Sequence, residues 1–279
     1  MRHLSSLRAM LAGLTLVGAG CSNDTGKDVT APAEPNANAV NAAVQLQGGH
    51  KRQHGAQIVS ATGDITNAVN SYRTLLGALN PNVAGEQPGG RREVNWDGVP
   101  AGFTNNDLFP GNFFNVNSPR GILFATNGSG FRISDTGYVD LNRAYEGEFN
   151  TFSPKKLFVA RGSTIIDVQF VVAGSNTPAL VTGFGSVFED VGRANSTTIE
   201  YFDAAGRRLL KVAAPRRSDA KGLSFLGVKF ESPIVARVRM TVGDTPLDAS
   251  VIDNVKGKGP KRDLVATDDF IYGEPRAIN

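Results

Sequence analysis

Sulfur and imidazole are scarce in this chain. Cysteine occurs once, at Cys21, so no intrachain disulfide can form and stability must come from a packed core. The three histidines, His3, His50 and His54, all precede the region where folded elements are expected. No histidine base can therefore serve a nucleophile there, which removes triad hydrolysis, thiolate catalysis and a histidine-rich zinc site. Long apolar runs are also lacking: the run over residues 10–20 falls short of the roughly 20 residues that a transmembrane helix needs. Charge of one sign does not dominate, since 29 basic residues face 26 acidic ones for a net charge of +3. No basic stripe emerges, and nucleic acid is not an expected partner. A contiguous Asp-x-Asn/Asp-x-Asp-Gly calcium loop is absent too.

The N-terminus carries a clear address. Arg2, His3 and Arg8 precede the apolar run, which has the charge order of a secretory signal, so residues 1–20 are expected to be removed. The Leu-Val approach and the small residues before Cys21 resemble a bacterial lipoprotein lipobox, which implies a diacylated thiol on Cys21. Acyl chains contribute about 0.8 kcal/mol per buried methylene, and two or three of them anchor a protein stably. The resemblance thus implies a bacterial cell envelope, with the protein lipid-anchored and facing periplasm or exterior. The competing reading is an ordinary cleavable signal with an incidental cysteine. Residues 21–57 are rich in Ala, Asn, Gly, Gln and Pro and poor in large apolar side chains, as in a flexible tether. His50 and His54 fall within it, spaced for a helical metal pair but without a third ligand.

Residues 58–90 read as one amphipathic helix and a connector. Asp64 is placed to cap it; Ile65, Val69, Tyr72, Leu75, Leu76 and Leu79 recur at helical spacing, and Asn80-Pro81 ends the run. The apolar face must cover something, either the β domain as a lid or a partner protein. Residues 91–279 read as strands, expected over 93–96, 121–125, 130–134, 156–160, 164–172, 180–189, 197–202, 209–212, 223–230, 235–242 and 264–272. Asp203-Ala204-Ala205-Gly206 has the makings of a hairpin turn. No helical run separates successive strands, which disfavours a parallel sheet and leaves two antiparallel sheets face to face.

Within this region the segments 93–100, 121–124, 183–191, 199–204, 225–230 and 267–273 resemble exported bacterial jelly-roll domains. These are the galactose-binding-like sandwiches found in proteins with PEP-CTERM-type sorting signals. The resemblance implies an all-β fold, an antiparallel jelly-roll β-sandwich carrying one N-terminal amphipathic helix. It further implies glycan binding and a structural calcium.

Two candidate sites follow. Asp97, Glu189, Asp190, Asp268 and Asp269 are candidate acids inside the resemblance, and Asp97, Asp190 and Asp268 are the expected calcium ligands, with Asp97 brought near Asp268 if the first and last strands are neighbours. Strand alternation would point Asp268 and Asp269 to opposite faces. The alternative is that these carboxylates accept turn amides or pair with arginine. Trp96 with Phe113, Phe114, Asn115 and Asn117 forms an aromatic and amide tract suited to stacking on sugar rings and bonding their hydroxyls; core filling is the alternative. The expected function is a non-enzymatic, envelope-anchored binding module for glycan or another extracellular polymer. A structural or adhesion lipoprotein docking an envelope protein through the helix is the second reading. A carboxylate-dependent glycoside hydrolase is the third, and it requires two acids facing each other in a cleft.

Overall fold

The computed structural model describes residues 55–217 and 222–278. Cys21, the segment 1–20, His50, His54 and nearly all of the tether lie outside these residues. In chain order the elements are β1 (Ala56–Thr62), α1 (Thr66–Leu76), β2 (Arg91–Val94), α2 (Phe113–Val116), β3 (Ile122–Ala125), β4 (Gly130–Ser134), β5 (Leu157–Arg161) and β6 (Ile165–Phe170). They continue with β7 (Ala179–Leu180), β8 (Gly183–Glu189), β9 (Thr198–Phe202), β10 (Arg208–Ala213), β11 (Leu223–Phe230), β12 (Arg237–Thr241), β13 (Ala266–Gly273) and β14 (Arg276–Ala277).

Alternation decides which way each strand faces. In β12, Val238 and Met240 are buried while Arg237 and Arg239 point to solvent, and in β9 Ile199 and Tyr201 are buried opposite Glu200 and Phe202. Such strands assemble into a seven-stranded antiparallel sheet, ordered β1-β11-β8-β13-β5-β4 with β2 also on β13, and a five-stranded one, ordered β10-β9-β12-β6-β3. The main core lies between them. Phe158, Phe184, Phe188, Leu226, Phe270 and Tyr272 of the larger sheet meet Phe124, Ile166, Val168, Phe170, Tyr201, Val238 and Met240 of the smaller. The Tyr201 hydroxyl crosses this core to donate to the Phe184 carbonyl at 2.9 Å. The hairpin at Asp203 forms as its residues require: Gly206 adopts a φ of 76°, and the Asp203 carboxylate accepts from the Ala205 and Arg207 amides.

Helix α1 covers the outer face of the seven-stranded sheet. The Asp64 carboxylate accepts from the Thr66 amide at 3.0 Å, and Gly77, with a φ of 100°, ends the helix before Leu79. Val69, Tyr72 and Leu76 pack on Val59, Val187, Phe225 and Ile271. Tyr72 is seated in a slot cleared by two glycines: a Cβ built on Gly185 or Gly227 would lie 2.9 or 2.8 Å from its ring. Its hydroxyl donates to the Val228 carbonyl at 2.8 Å. The face of Val69, Tyr72 and Leu76 is thus occupied within the chain, as the lid reading expects, while Leu75 is exposed.

Three expectations are corrected here. The tether and the helix-plus-connector segment were expected to contain no strand, yet Ala56–Thr62 pairs along its whole length with β11, so the sheet begins at residue 56 and not 91. This edge strand buries only Val59 and is held by backbone hydrogen bonds, which leave no apolar pattern to read. Leu79 lies outside the helix and is 56% exposed. Asp268 and Asp269 do not face opposite ways. Thr267 is opposite Phe188 while Phe270 is opposite Ser186, so β13 carries one extra residue, a bulge that turns both carboxylates outward. At the same bulge the other edge of β13 changes partner, from Phe158 of β5 to β2.

Candidate functional site

The aromatic tract is core. Trp96 is fully buried, stacked on Phe158 with ring centroids 4.0 Å apart and planes 8° apart, and edged by Phe114 and Phe270. Its indole N–H donates to the Asp268 carbonyl at 2.8 Å. Phe113 and Phe114 are buried, and Asn115 is buried with its amide donating to the Ser175 carbonyl and accepting from the Gly174 amide. As surface contacts for sugar, Trp96, Phe113, Phe114 and Asn115 are therefore withdrawn; of the set only Asn117 is exposed. The physical reason is that α2 packs its two phenylalanines on Trp96, Phe103 and Phe109 within the main core, where ring burial outweighs display.

The three expected calcium ligands are not brought together. Asp97 leaves β2 beside the last strand, as expected, but its carboxylate accepts the Lys156 amide at 3.2 Å. Asp268 accepts from the Phe152 amide at 2.7 Å and the Ser153 hydroxyl at 2.8 Å, and so caps the chain that crosses the outer face. Both act as turn acceptors. Asp190 instead joins Glu148 and Asp253, and oxygens of all three lie within 4.8 Å of one another. Glu148 sits in the connection between β4 and β5 and Asp253 in the one between β12 and β13. Neither lies in a spacing motif, so no local signal marked them.

Around this triad the outer face is crowded with carboxyl groups. Asp190 adopts a φ of 62° as β8 ends, and its carboxyl group lies against those of Glu148 and Asp253. Burial first, then contact with Glu148, pushes its affinity for a proton well up. Asp253 accepts from the Val255 and Leu264 amides. Asp263 is fully buried and accepts from the Gly192 and Arg193 amides and the Ser196 hydroxyl. Glu189, also fully buried, accepts the Asn150 amide on one oxygen while the other has no partner. Burial, reinforced by the Asp268 charge, raises the Glu189 pKa to about 9. Asp269 is reached by Arg73 of α1, which also forms a two-pronged pair with Glu93.

A pH dependence follows from Glu189. Its folded pKa lies above the ordinary value of 4.5, so between pH 4.5 and about 9 the folded chain holds a proton that the unfolded chain has released. Stability is then greatest at the acid end of this window and falls as pH rises, by on the order of 3 kcal/mol between pH 4.5 and 7 from this group alone. Urea titrations in chelator at pH 5 and pH 8 should show the lower midpoint at pH 8, and Glu189→Gln should flatten the difference. An equal midpoint in the parent protein would mean that Glu189 is ionised and paired.

A groove at the sheet edge is lined by Gly111, Asn112, Leu123, Phe124, Ala125 and Gln169, and a second, small cavity by Val159, Ile166, Val242, Leu247 and their neighbours; neither has an acidic wall. Among the described residues no helix is long and apolar enough to cross a membrane. No family model, curated protein or solved structure matches this chain.

Proposed function

We propose that this chain is a non-enzymatic binding module of the bacterial cell envelope, held on the membrane by lipid on Cys21 and engaging a glycan or another extracellular polymer. The observation that carries this reading is an asymmetry between the two sheets. The outer face of the larger sheet is sealed by α1 and by the chain around Tyr138, Tyr145 and Phe149. The outer face of the smaller sheet is open and polar, and the groove of Leu123 and Gln169 lies at its edge. A broad, open sheet face suits an extended chain more than a small substrate. The jelly-roll part of the reading is supported by two antiparallel sheets packed face to face around one core. Co-sedimentation of the full chain in detergent with plant, algal and bacterial polysaccharides, with and without calcium, is the test. Retention on at least one is expected, and no retention on any would overturn the reading.

Calcium belongs to this reading as a structural ion held by Glu148, Asp190 and Asp253, three hard oxygen donors that tie together three separate connections of the chain. Calcium at a hundred times its dissociation constant would add about 2.7 kcal/mol. For a domain of this size that raises the melting temperature by roughly 5 to 10 °C. Asp190→Asn should abolish the response, while Asp97→Asn should keep it. A melting curve indifferent to calcium and chelator would leave the triad as proton-sharing acids.

A further inference from the structure

The registers of the five-stranded sheet align side chains into rows that run across the strands. On the solvent face Arg208 is opposite Phe202, Phe202 opposite Arg237, Arg237 opposite Gln169, and Gln169 opposite Leu123. Two residues along, Lys211, Glu200, Arg239, Asp167 and Ala125 form a second row. Neighbouring strands lie about 4.8 Å apart, so each row spans roughly 19 Å.

The two rows hold four cations and two carboxylates, and each carboxylate is shared. Asp167 accepts from Arg237 at 2.9 Å and from Arg239 at 2.7 Å; Glu200 accepts from Arg208 at 3.0 Å and from Lys211 at 3.1 Å. Each cation therefore keeps unused N–H groups, and Arg208, Lys211 and Arg239 remain 57%, 47% and 44% exposed. Arg237 lies flat over the Phe202 ring at 3.8 Å, which occupies the face of the guanidinium and leaves its edge as a donor. The face carries a net excess of two positive charges, spread thinly over its length.

We propose that this face binds an extended acidic polysaccharide, a polyuronate whose carboxylates are taken by Arg208, Arg237 and Arg239. The proposal rests on the polymer-binding reading above and names its ligand class. Guanidinium forks match carboxylates in two-pronged geometry. Gln169, Leu123 and Asn112 continue the row into the edge groove, where an amide and an apolar wall suit a sugar ring. Charge spacing separates this ligand from nucleic acid. Duplex DNA presents one charge per about 1.7 Å, too dense for a surface that holds Asp167 and Glu200 fixed among its cations. A polymer with one carboxylate per sugar is sparse enough to alternate with them.

Affinity electrophoresis of the full chain in gels containing polygalacturonate, dextran or duplex DNA tests this at low salt. Polygalacturonate should retard the protein, less so as salt is added, and the double variant Arg237→Gln/Arg239→Gln should weaken retardation at least about ten-fold. Arg276→Gln, on an exposed arginine paired with Glu86 outside this sheet, should leave it unchanged. Glu200→Gln should tighten it, because Arg208 and Lys211 are then released to the ligand. That gain separates a binding face from a merely structural charge ladder and decides the matter if the double variant unfolds. Equal retardation by DNA, undiminished retardation of the folded double variant, or no gain from Glu200→Gln would each overturn the proposal. Retardation by dextran alone would overturn it while leaving the polymer-binding reading in place, and no retardation by any polymer, with none in the co-sedimentation panel, would end both.

Discussion

Trp96→Ala should unfold this protein early and leave its ligand affinity, measured on the folded fraction, unchanged. Removing a fully buried indole that stacks on Phe158 opens a cavity at the centre of the aromatic cluster and strips the Asp268 carbonyl of its donor. Substitutions of this kind cost about 3 to 5 kcal/mol, on the order of 10 °C or more in melting temperature for a domain of this length. Trp96→Phe should cost much less, since a ring remains for Phe158 and the main loss is one hydrogen bond of about 1 kcal/mol. A Trp96→Ala protein that melts like the parent but no longer retains polymer would restore Trp96 to the ligand surface.

This residue also shows where sequence reading succeeds and where it stops. Strand periodicity depends on neighbours two apart, so it was legible: 130–134 and 223–230 were expected as strands, and Gly130–Ser134 and Leu223–Phe230 are strands. The Asp203 hairpin was legible because turn chemistry is local as well. Which side of a surface an aromatic takes is not local. The residues around Trp96 look the same whether they display rings to a sugar or pack them under the sandwich, and only the docking of α2 on β3 decides between the two.

The acidic site failed for a related reason. An alternating strand places Asp268 and Asp269 on opposite faces, but one inserted residue puts both outward, and bulges leave little trace in composition. The triad partners Glu148 and Asp253 come from connections far apart in sequence. β1 leaves no signal in the sequence because an edge strand that buries one valine is paired along its whole length through its backbone, and backbone hydrogen bonds are silent there. The open polar rows of the smaller sheet were half legible. The alternation of β9 and β12 predicts a charged face, but the cross-strand register that aligns Arg208, Phe202, Arg237 and Gln169 appears only when the strands are paired.

Arg92→Ala should be the most damaging change of a charged residue. Arg92 is fully buried, an exceptional position for a guanidinium. It meets Glu274 through two parallel hydrogen bonds of 2.7 and 2.8 Å and donates further to the carbonyls of Pro119 at 2.9 Å, Pro81 at 3.1 Å and Gly85 at 3.2 Å. Glu274 in turn accepts from the Gln87 amide and the Asn80 side chain. One ion pair thus gathers the connector after α1, the end of β13 and the chain leading into β3. Removing one partner strands the other charge in a dry site, a loss of about 3 to 5 kcal/mol. Arg92→Lys should recover only part of it, because an ammonium cannot reproduce the fork. Arg92→Leu combined with Glu274→Leu should cost less than the sum of the two single changes, since no charge is then left buried, and denaturant midpoints of the four proteins measure that coupling. Strict additivity would show that the two groups do not act as a pair. Pro119 leads into β3, whose Leu123 lines the edge groove, so polymer retention by Arg92→Lys should fall with the order of that edge even where the sandwich stays folded.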